Sequence, residues 1–373
     1  RGVSNEVTGC VVSGVDIGVT VYTDSLLTKV VSCDVVPSTT TGVTGYELLS
    51  ASSTHISGCS AILVRPAWVA EVPAGVSVTT SNDVSVSDCL ISGFRNDATE
   101  DGYGVFFTGA CDRVTVRGGA ISDVTVGVLT DNATSDATVV TGVHIRDMVD
   151  GVSLAGEDAV VDDCVITLSL TDGLHGILVT GARARVTSCN VISQRLSSSF
   201  ILADDPYGIK VEGADSVIAN CRGEGFRNDA NPNAGLAFWP AGARCTLSGC
   251  TATDCRFGSV VDGVDTRLSD LAFDTCDICV RSNGAETQIT NSRFDVDPTT
   301  GTIGVYFNTD TGVLSDSILT CTRAAWAGET PIGVQFNGDH CRVSNCHIEG
   351  FRNDTDLLGY ALLARDTDKL AEL

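Results

Sequence analysis

A short run of the form apolar-x-x-Cys-x-apolar returns along almost the whole chain, and this recurrence limits the possible folds more than any other feature. It reads Val-Thr-Gly-Cys10, Val-Val-Ser-Cys33, Ile-Ser-Gly-Cys59, Val-Ser-Asp-Cys89, Val-Asp-Asp-Cys164, Val-Thr-Ser-Cys189, Ile-Ala-Asn-Cys221, Leu-Ser-Gly-Cys250 and Val-Ser-Asn-Cys346. Five further runs place Gly118, Val143, Leu271, Ser292 or Ser317 in the cysteine slot, giving fourteen units of 21 to 32 residues. Many units hold a second run, Gly-Val-x-apolar, near their middle, as at Gly127-Val128, Gly151-Val152, Gly176-Ile177, Gly208-Ile209, Gly304-Val305 and Gly333-Val334. A unit this small cannot bury its own apolar face; stacked units share one core.

The runs are rich in Val, Ile and Leu, are punctuated by Gly, Asp, Asn and Ser, and have no helical period. They predict short strands joined by tight turns. The expected architecture is all-β: a parallel β-solenoid of about fourteen coils, read as a single elongated domain over 1–373. This resembles the right-handed parallel β-helix family, the pectate-lyase-like fold shared by polysaccharide lyases, glycosidases and viral tailspikes. The resemblance spans essentially the whole chain and is one of fold, which hosts many functions.

Stacking would align nine cysteines as an internal ladder, about 4.8 Å from coil to coil, each thiol acting as a small buried hydrophobe. Disulfides are the alternative for a chain with sixteen cysteines, but stacked side chains point the same way and a bridge needs facing Cβ vectors. Metal binding is a further alternative at Cys276-Asp-Ile-Cys279 and at Cys245, Cys250 and Cys255. Neither cluster has a second pair at zinc-site spacing, so no metal and no cofactor is expected.

A longer period overlies the short one. The pentapeptide Gly-Phe-Arg-Asn-Asp occurs at 93–97, 225–229 and 350–354, each time four residues after a cysteine. The preceding coil carries an Arg-containing long loop: Arg65-Pro-Ala-Trp68, Arg195-Leu-Ser-Ser and Arg323-Ala-Ala-Trp326. The chain thus reads as nearly three copies of a five-coil module, with paired loops repeating about every 24 Å. One reading of the pentapeptide is a turn: Gly bends, Phe packs beneath the loop, Asn and Asp bond backbone amides, and Arg pairs with an Asp of a neighbouring coil. The other is a contact row of Arg65, Trp68, Arg95, Asp97, Arg195, Arg227, Asp229, Arg323, Trp326, Arg352 and Asp354, since Arg and aromatic residues favour interfaces.

The formal net charge is −24. Such a surface repels phosphates and excludes nucleic acid as a partner. The acidity fits a halophilic setting, and equally the use of Asp as a turn residue. No run is long and apolar enough to insert in a membrane. Arg1 opens directly into a repeat without an initiator Met, so the chain is expected to be part of a longer protein.

Catalysis is the secondary reading. Asn308-Thr-Asp310, Asp162-Asp163, Gly173-Leu-His175-Gly176 and Gly208-Ile-Lys210 look like fragments of family-28 polygalacturonase motifs. In that family the Asp-Asp and Gly-His-Gly motifs stack in successive coils; here Asp162 and His175 belong to different strands of one coil. Two converging carboxylates would be needed, and the first candidates are Asp204, Asp205 and Lys210 on the longest coil. The leading expectation is a non-enzymatic, tailspike-like solenoid of an extracellular or virion surface fibre. It would present repeated loops to a host-surface polysaccharide or glycoprotein, or to sister chains of a homo-oligomer such as a trimer. The alternatives are a polysaccharide lyase or glycosidase, and a cell-surface adhesin or filament subunit.

Overall fold

The computed structural model describes residues 4–22, 27–38, 43–63, 72–95, 101–170, 173–194, 205–228, 231, 234–297, 302–321, 330–351 and 359–364. They form a parallel β-solenoid with three strands per coil and, among the described residues, no helix. The chain divides into two compact units, 1–185 and 186–373, each a stack of seven coils. In the first unit the first sheet runs from Asn5–Thr8 to Val160–Asp162, the second from Val11–Ser13 to Val165–Leu168, and the third from Ile17–Tyr22 to His175–Val179. In the second unit the corresponding sheets end at Arg342–Ser344, His347–Glu349 and Tyr360–Ala364. Neighbouring strands within each unit are parallel and in register, as in Val86↔Val116↔Val140 and Ile91↔Ile121↔Ile145.

The repeat maps onto this geometry residue by residue. The leading apolar residue of each run points inward from the first sheet, and the one after the slot points inward from the second; Val30, Val35, Ile56 and Ala61 are fully buried. The residue just before the slot takes a left-handed conformation, as at Asp88 (φ 53), Asp163 (φ 51), Asn220 (φ 54) and Gly249 (φ 62). Short polar residues and Gly tolerate that region best, which is why Gly, Asp, Asn and Ser punctuate the sequence there. The corner turns the chain and drops the next side chain into the core. Fourteen of the sixteen cysteines are buried, and the slot thiols donate to the carbonyl of the inward residue one coil back. Examples are Cys59 Sγ to Val30 O (3.4 Å) and Cys221 Sγ to Val186 O (3.5 Å). The ladder is therefore hydrogen-bonded as well as packed. Cys10, in the first described coil, is exposed.

One slot assignment is corrected. Leu90 pairs with Ala120, so the residue stacked on Cys89 is Gly119 and not Gly118. Gly118 (φ 60) is the left-handed corner, and Gly119 (φ 77) sits over the backbone of Cys89, where a Cβ would meet the Cys89 amide nitrogen at 2.6 Å. Two adjacent glycines let the pattern be read one residue early.

The five-residue spacing of Cys245, Cys250 and Cys255 also acquires a cause. It is the path from one corner of the coil to the next, so the three thiols enter different columns, donating to Gly213 O, Ile218 O and Gly223 O.

The Gly of Gly-Val-x-apolar forms a column in the third sheet, where inward side chains of the second sheet come close. A Cβ at Gly304 would lie 2.5 Å from Gly333 O and 2.8 Å from Leu319 Cδ2. This column lets the flattened coil close. The second unit fills its interior with aromatic rings, Phe273 tilted against Phe294 at 5.6 Å and Phe307 stacked on Phe336 at 5.9 Å, each ring contributing about 1.5–3 kcal/mol of apolar burial.

Candidate functional site

The third sheet of the second unit carries a row of chemically versatile side chains. Its strands are Tyr207–Val211, Leu236–Pro240, Phe257–Val261, Ile278–Ser282, Ile303–Phe307 and Ile332–Phe336. In each, the fourth residue faces outward because its neighbours on both sides face the core. Register places these fourth residues in one column, Lys210, Trp239, Val260, Arg281, Tyr306 and Gln335, of which Val260 and Gln335 are buried. Two residues further on, at the strand ends, lies a second column of Glu212, Asp262, Asn283, Asn308 and Asn337.

The two columns are laced together. Asp262 accepts Trp239 Nε1 at 2.6 Å and Asn283 Nδ2 at 2.8 Å, one on each carboxylate oxygen. Arg281 Nε donates to Asn283 Oδ1 (3.2 Å), Tyr306 OH donates to Asn308 Oδ1 (2.9 Å), and Asn337 Nδ2 donates to Tyr306 OH (2.5 Å). Lys210 Nζ pairs with Glu212 (2.7 Å) and lies 3.8 Å from the centre of the Trp239 ring, a cation–π arrangement. Both cations thus have partners inside the row, and its amides, while linked to one another, keep one N–H each at Asn283 and Asn308 and a lone pair at Asn337. Tyr306 and Asn308 keep exposed edges.

A second cluster lies at the corner between the second and third sheets. Arg227, of the middle pentapeptide, is only 11% exposed. It reaches Asp254 (3.2 Å), Asp277 (3.0 Å) and Asp297 (2.7 Å), which occupy the same corner of the next three coils, and donates to Thr275 O (3.2 Å). Asp277 is itself 2% exposed and also bonded by Arg256. Burial works against the Arg227 charge, but Asp277, Asp297 and Asp254 outweigh it and raise its pKa. This arrangement matches the turn reading of the pentapeptide. The glycines share one geometry, at φ 84, 77 and 81 for Gly93, Gly225 and Gly350, and Phe94, Phe226 and Phe351 are buried beneath them.

On the outer face of the second sheet, Asp274 and Asp295 are in register on adjacent strands. They line, with Arg293 and Phe273, a hollow of about 310 Å³. Burial raises the Asp295 carboxyl, Thr320 opposes this by hydrogen bonding, and the Asp274 charge adds to it. A bulge follows at Asp274/Cys276, and bulges re-aim side chains.

The structure separates the residues singled out in the sequence. Lys210 stands in the outward column, and Asp205 lies exposed two residues before its strand. Asp204, Arg65, Trp68, Asp97, Arg195, Asp229, Arg323, Trp326, Arg352 and Asp354 lie outside the described residues. Arg95 is half-buried beside Phe94. The polygalacturonase-like fragments scatter. Asp162 is on the first sheet, His175 Nδ1 pairs with Asp150 Oδ1 (2.8 Å) on the third, and Asp310 Oδ1 accepts the Asp339 amide (2.6 Å) in a turn. Sequence reading passed over Trp239, Arg281, Tyr306 and Gln335. The available signal was the x of Gly-Val-x-apolar, which is the outward position; Ala237 and Cys279 in place of the Gly hid two of the four.

No family model and no curated protein matches the chain. Solved parallel β-helix structures do resemble it. The tailspike receptor-binding domain of siphovirus 9NA is 11% identical over 91% of this chain and 73% of that one, with a TM-score of 0.47. The catalytic unit of a GH87 α-1,3-glucanase from Streptomyces thermodiastaticus strain HF3-3 is 14% identical over 97% and 60%, with a TM-score of 0.42. An alginate lyase from Paenibacillus sp. str. FPU-7 is 12% identical over 77% and 91%, with a TM-score of 0.36. At such identities the likeness concerns the fold, and the neighbours include both a binding domain and enzymes.

Proposed function

We propose that this chain is a glycan-binding β-solenoid of an extracellular or virion surface fibre, and that the outward row of the second unit is its contact surface. The supporting observation is the run of three amides, Asn283, Asn308 and Asn337, on successive coils beside Tyr306 and Arg281. Glycan hydroxyls require donors and acceptors together, and an amide row linked by hydrogen bonds offers both along its length. Assembly into a homo-oligomer would multiply this surface by avidity. The test is binding of the full chain to immobilised surface polysaccharides. Asn308→Ala, at an exposed position, and Tyr306→Ala should each weaken binding about tenfold, equal to 1.4 kcal/mol. Undiminished binding by both variants would remove the row from the function.

Asp274 and Asp295 favour a second reading, polysaccharide cleavage, because glycoside hydrolysis uses one protonated and one ionised carboxyl group. Release of reducing ends that is abolished by Asp295→Asn would establish it; its absence across a polysaccharide panel would leave binding alone.

A further inference from the structure

We infer that the row takes an uncharged, hydroxyl-rich glycan chain laid along the coil axis, and not a polyanion; this rests on the binding function proposed above. Three observations point the same way. First, the ammonium of the row is already paired: Lys210 meets Glu212 at 2.7 Å and lies against the Trp239 ring, while Arg281 is fixed through Nε by the neutral Asn283 amide at 3.2 Å. A carboxylate or sulfate approaching Lys210 would have to displace Glu212, whereas ligand hydroxyls can accept from the remaining guanidinium donors of Arg281.

Second, the row is lined by acceptors as well as donors. Asp262, with both oxygens already accepting bonds, and the side-chain oxygens of Asn283, Asn308 and Asn337 would face an anion that can only accept. A hydroxyl both donates and accepts, so it can accept from the remaining N–H of Asn283 or Asn308 and donate to the remaining lone pairs of Asn337 and Asp262. The long-range field acts in the same direction, since a chain with a net charge of −24 repels polyanions.

Third, the amides repeat at the coil spacing. Asn283, Asn308 and Asn337 lie at equivalent positions of successive coils, so the outer two are about 10 Å apart along the axis. They are held by neighbouring side chains, Asn308 Nδ2 to Asn283 Oδ1 at 3.4 Å and Asn337 Nδ2 to Asn308 Oδ1 at 3.4 Å. A site held in this way loses little freedom on binding. A ligand chain parallel to the axis meets an amide at each step; one crossing the coils meets one amide only.

The experiment compares the full chain against two panels of matched length: neutral homo- and heteropolysaccharides, and uronate or sulfated polymers. Binding is measured at salt from about 0.01 M to 1 M, over which the screening length falls from about 30 to 3 Å. The expected result is neutral-glycan binding that changes less than about twofold across this range. It should strengthen with oligosaccharide length until three coils are spanned, and Asn308→Asp and Tyr306→Phe should each weaken it tenfold. Selective binding of the acidic panel that salt and Lys210→Gln weaken would overturn the ligand class while keeping the row as the site. Binding of neither panel would overturn the binding function itself. Neutral binding of equal strength for a disaccharide and a long chain would overturn the axial arrangement. Unchanged far-UV spectra and melting of the variants would assign losses to the site.

Discussion

Arg227 offers the sharpest test of whether the repeated pentapeptide holds the coil or touches a ligand. Replacing it with Met keeps the length and apolar stem of the side chain but removes a guanidinium that bridges Asp254, Asp277 and Asp297. Breaking a buried ion pair from one side costs about 3–5 kcal/mol, because the remaining charge is left without compensation. Asp277, at 2% exposed, retains Arg256, so the lower figure applies, roughly 3 kcal/mol or about a hundredfold in an opening equilibrium. The Arg227 contacts reach the next three coils, and coils otherwise pack on their neighbours, so the loss should be confined to that stretch. Native-state hydrogen exchange reads this directly. The amides of Asp277 and Ile278, bonded to Cys255 O and Arg256 O, and those of Thr302 and Ile303, both bonded to Asp277 O, should lose about a hundredfold of protection. The Arg342 amide, bonded to Gly312 O further along the same unit, should keep its own. Adding Asp297→Asn should recover part of the loss. Protection unchanged within about twofold at all four amides, with glycan binding abolished, would refute the structural role and return Arg227 to the contact surface.

Three further outcomes follow from the same geometry. Gly304→Ala should destabilise by about 1–3 kcal/mol, as overpacking does, because its Cβ would press on Gly333 O and Leu319; a leftward shift of the urea midpoint measures it. Titration with Ellman's reagent should find Cys10 fast, Cys346 slow and the remaining fourteen thiols silent until unfolding, when all sixteen react without reductant; a deficit there would indicate disulfides. Asp295 should set a small pH trend. Its folded pKa lies above the unfolded value, so the native state holds the proton to higher pH. The associated stability is complete below the unfolded value of about 3.9 and declines as pH rises through the folded one. Asp295→Asn should flatten that decline in a melting series, and an unaltered slope would contradict it.

The sequence by itself determined the coil. An apolar residue, two turn residues and a slot side chain can repeat at 21 to 32 residues only if units stack, and Gly, Asp and Asn before the slot announce a left-handed corner. The roles of Gly and Phe in Gly-Phe-Arg-Asn-Asp were legible for the same reason, since a bend and a buried ring are local demands. What tertiary structure decided was lateral register, which local rules do not contain. The Gly118/Gly119 shift changes which side chain stacks on Cys89, although both readings satisfy the local pattern. Arg227 meets Asp254, Asp277 and Asp297, between 27 and 70 residues away in sequence, because one corner recurs in successive coils. Trp239, Arg281 and Tyr306 become one surface only when the coils that hold them are stacked in register. Local chemistry sets the path of each coil; which outward side chains become neighbours depends on every intervening coil length, and that sum is resolved only in three dimensions.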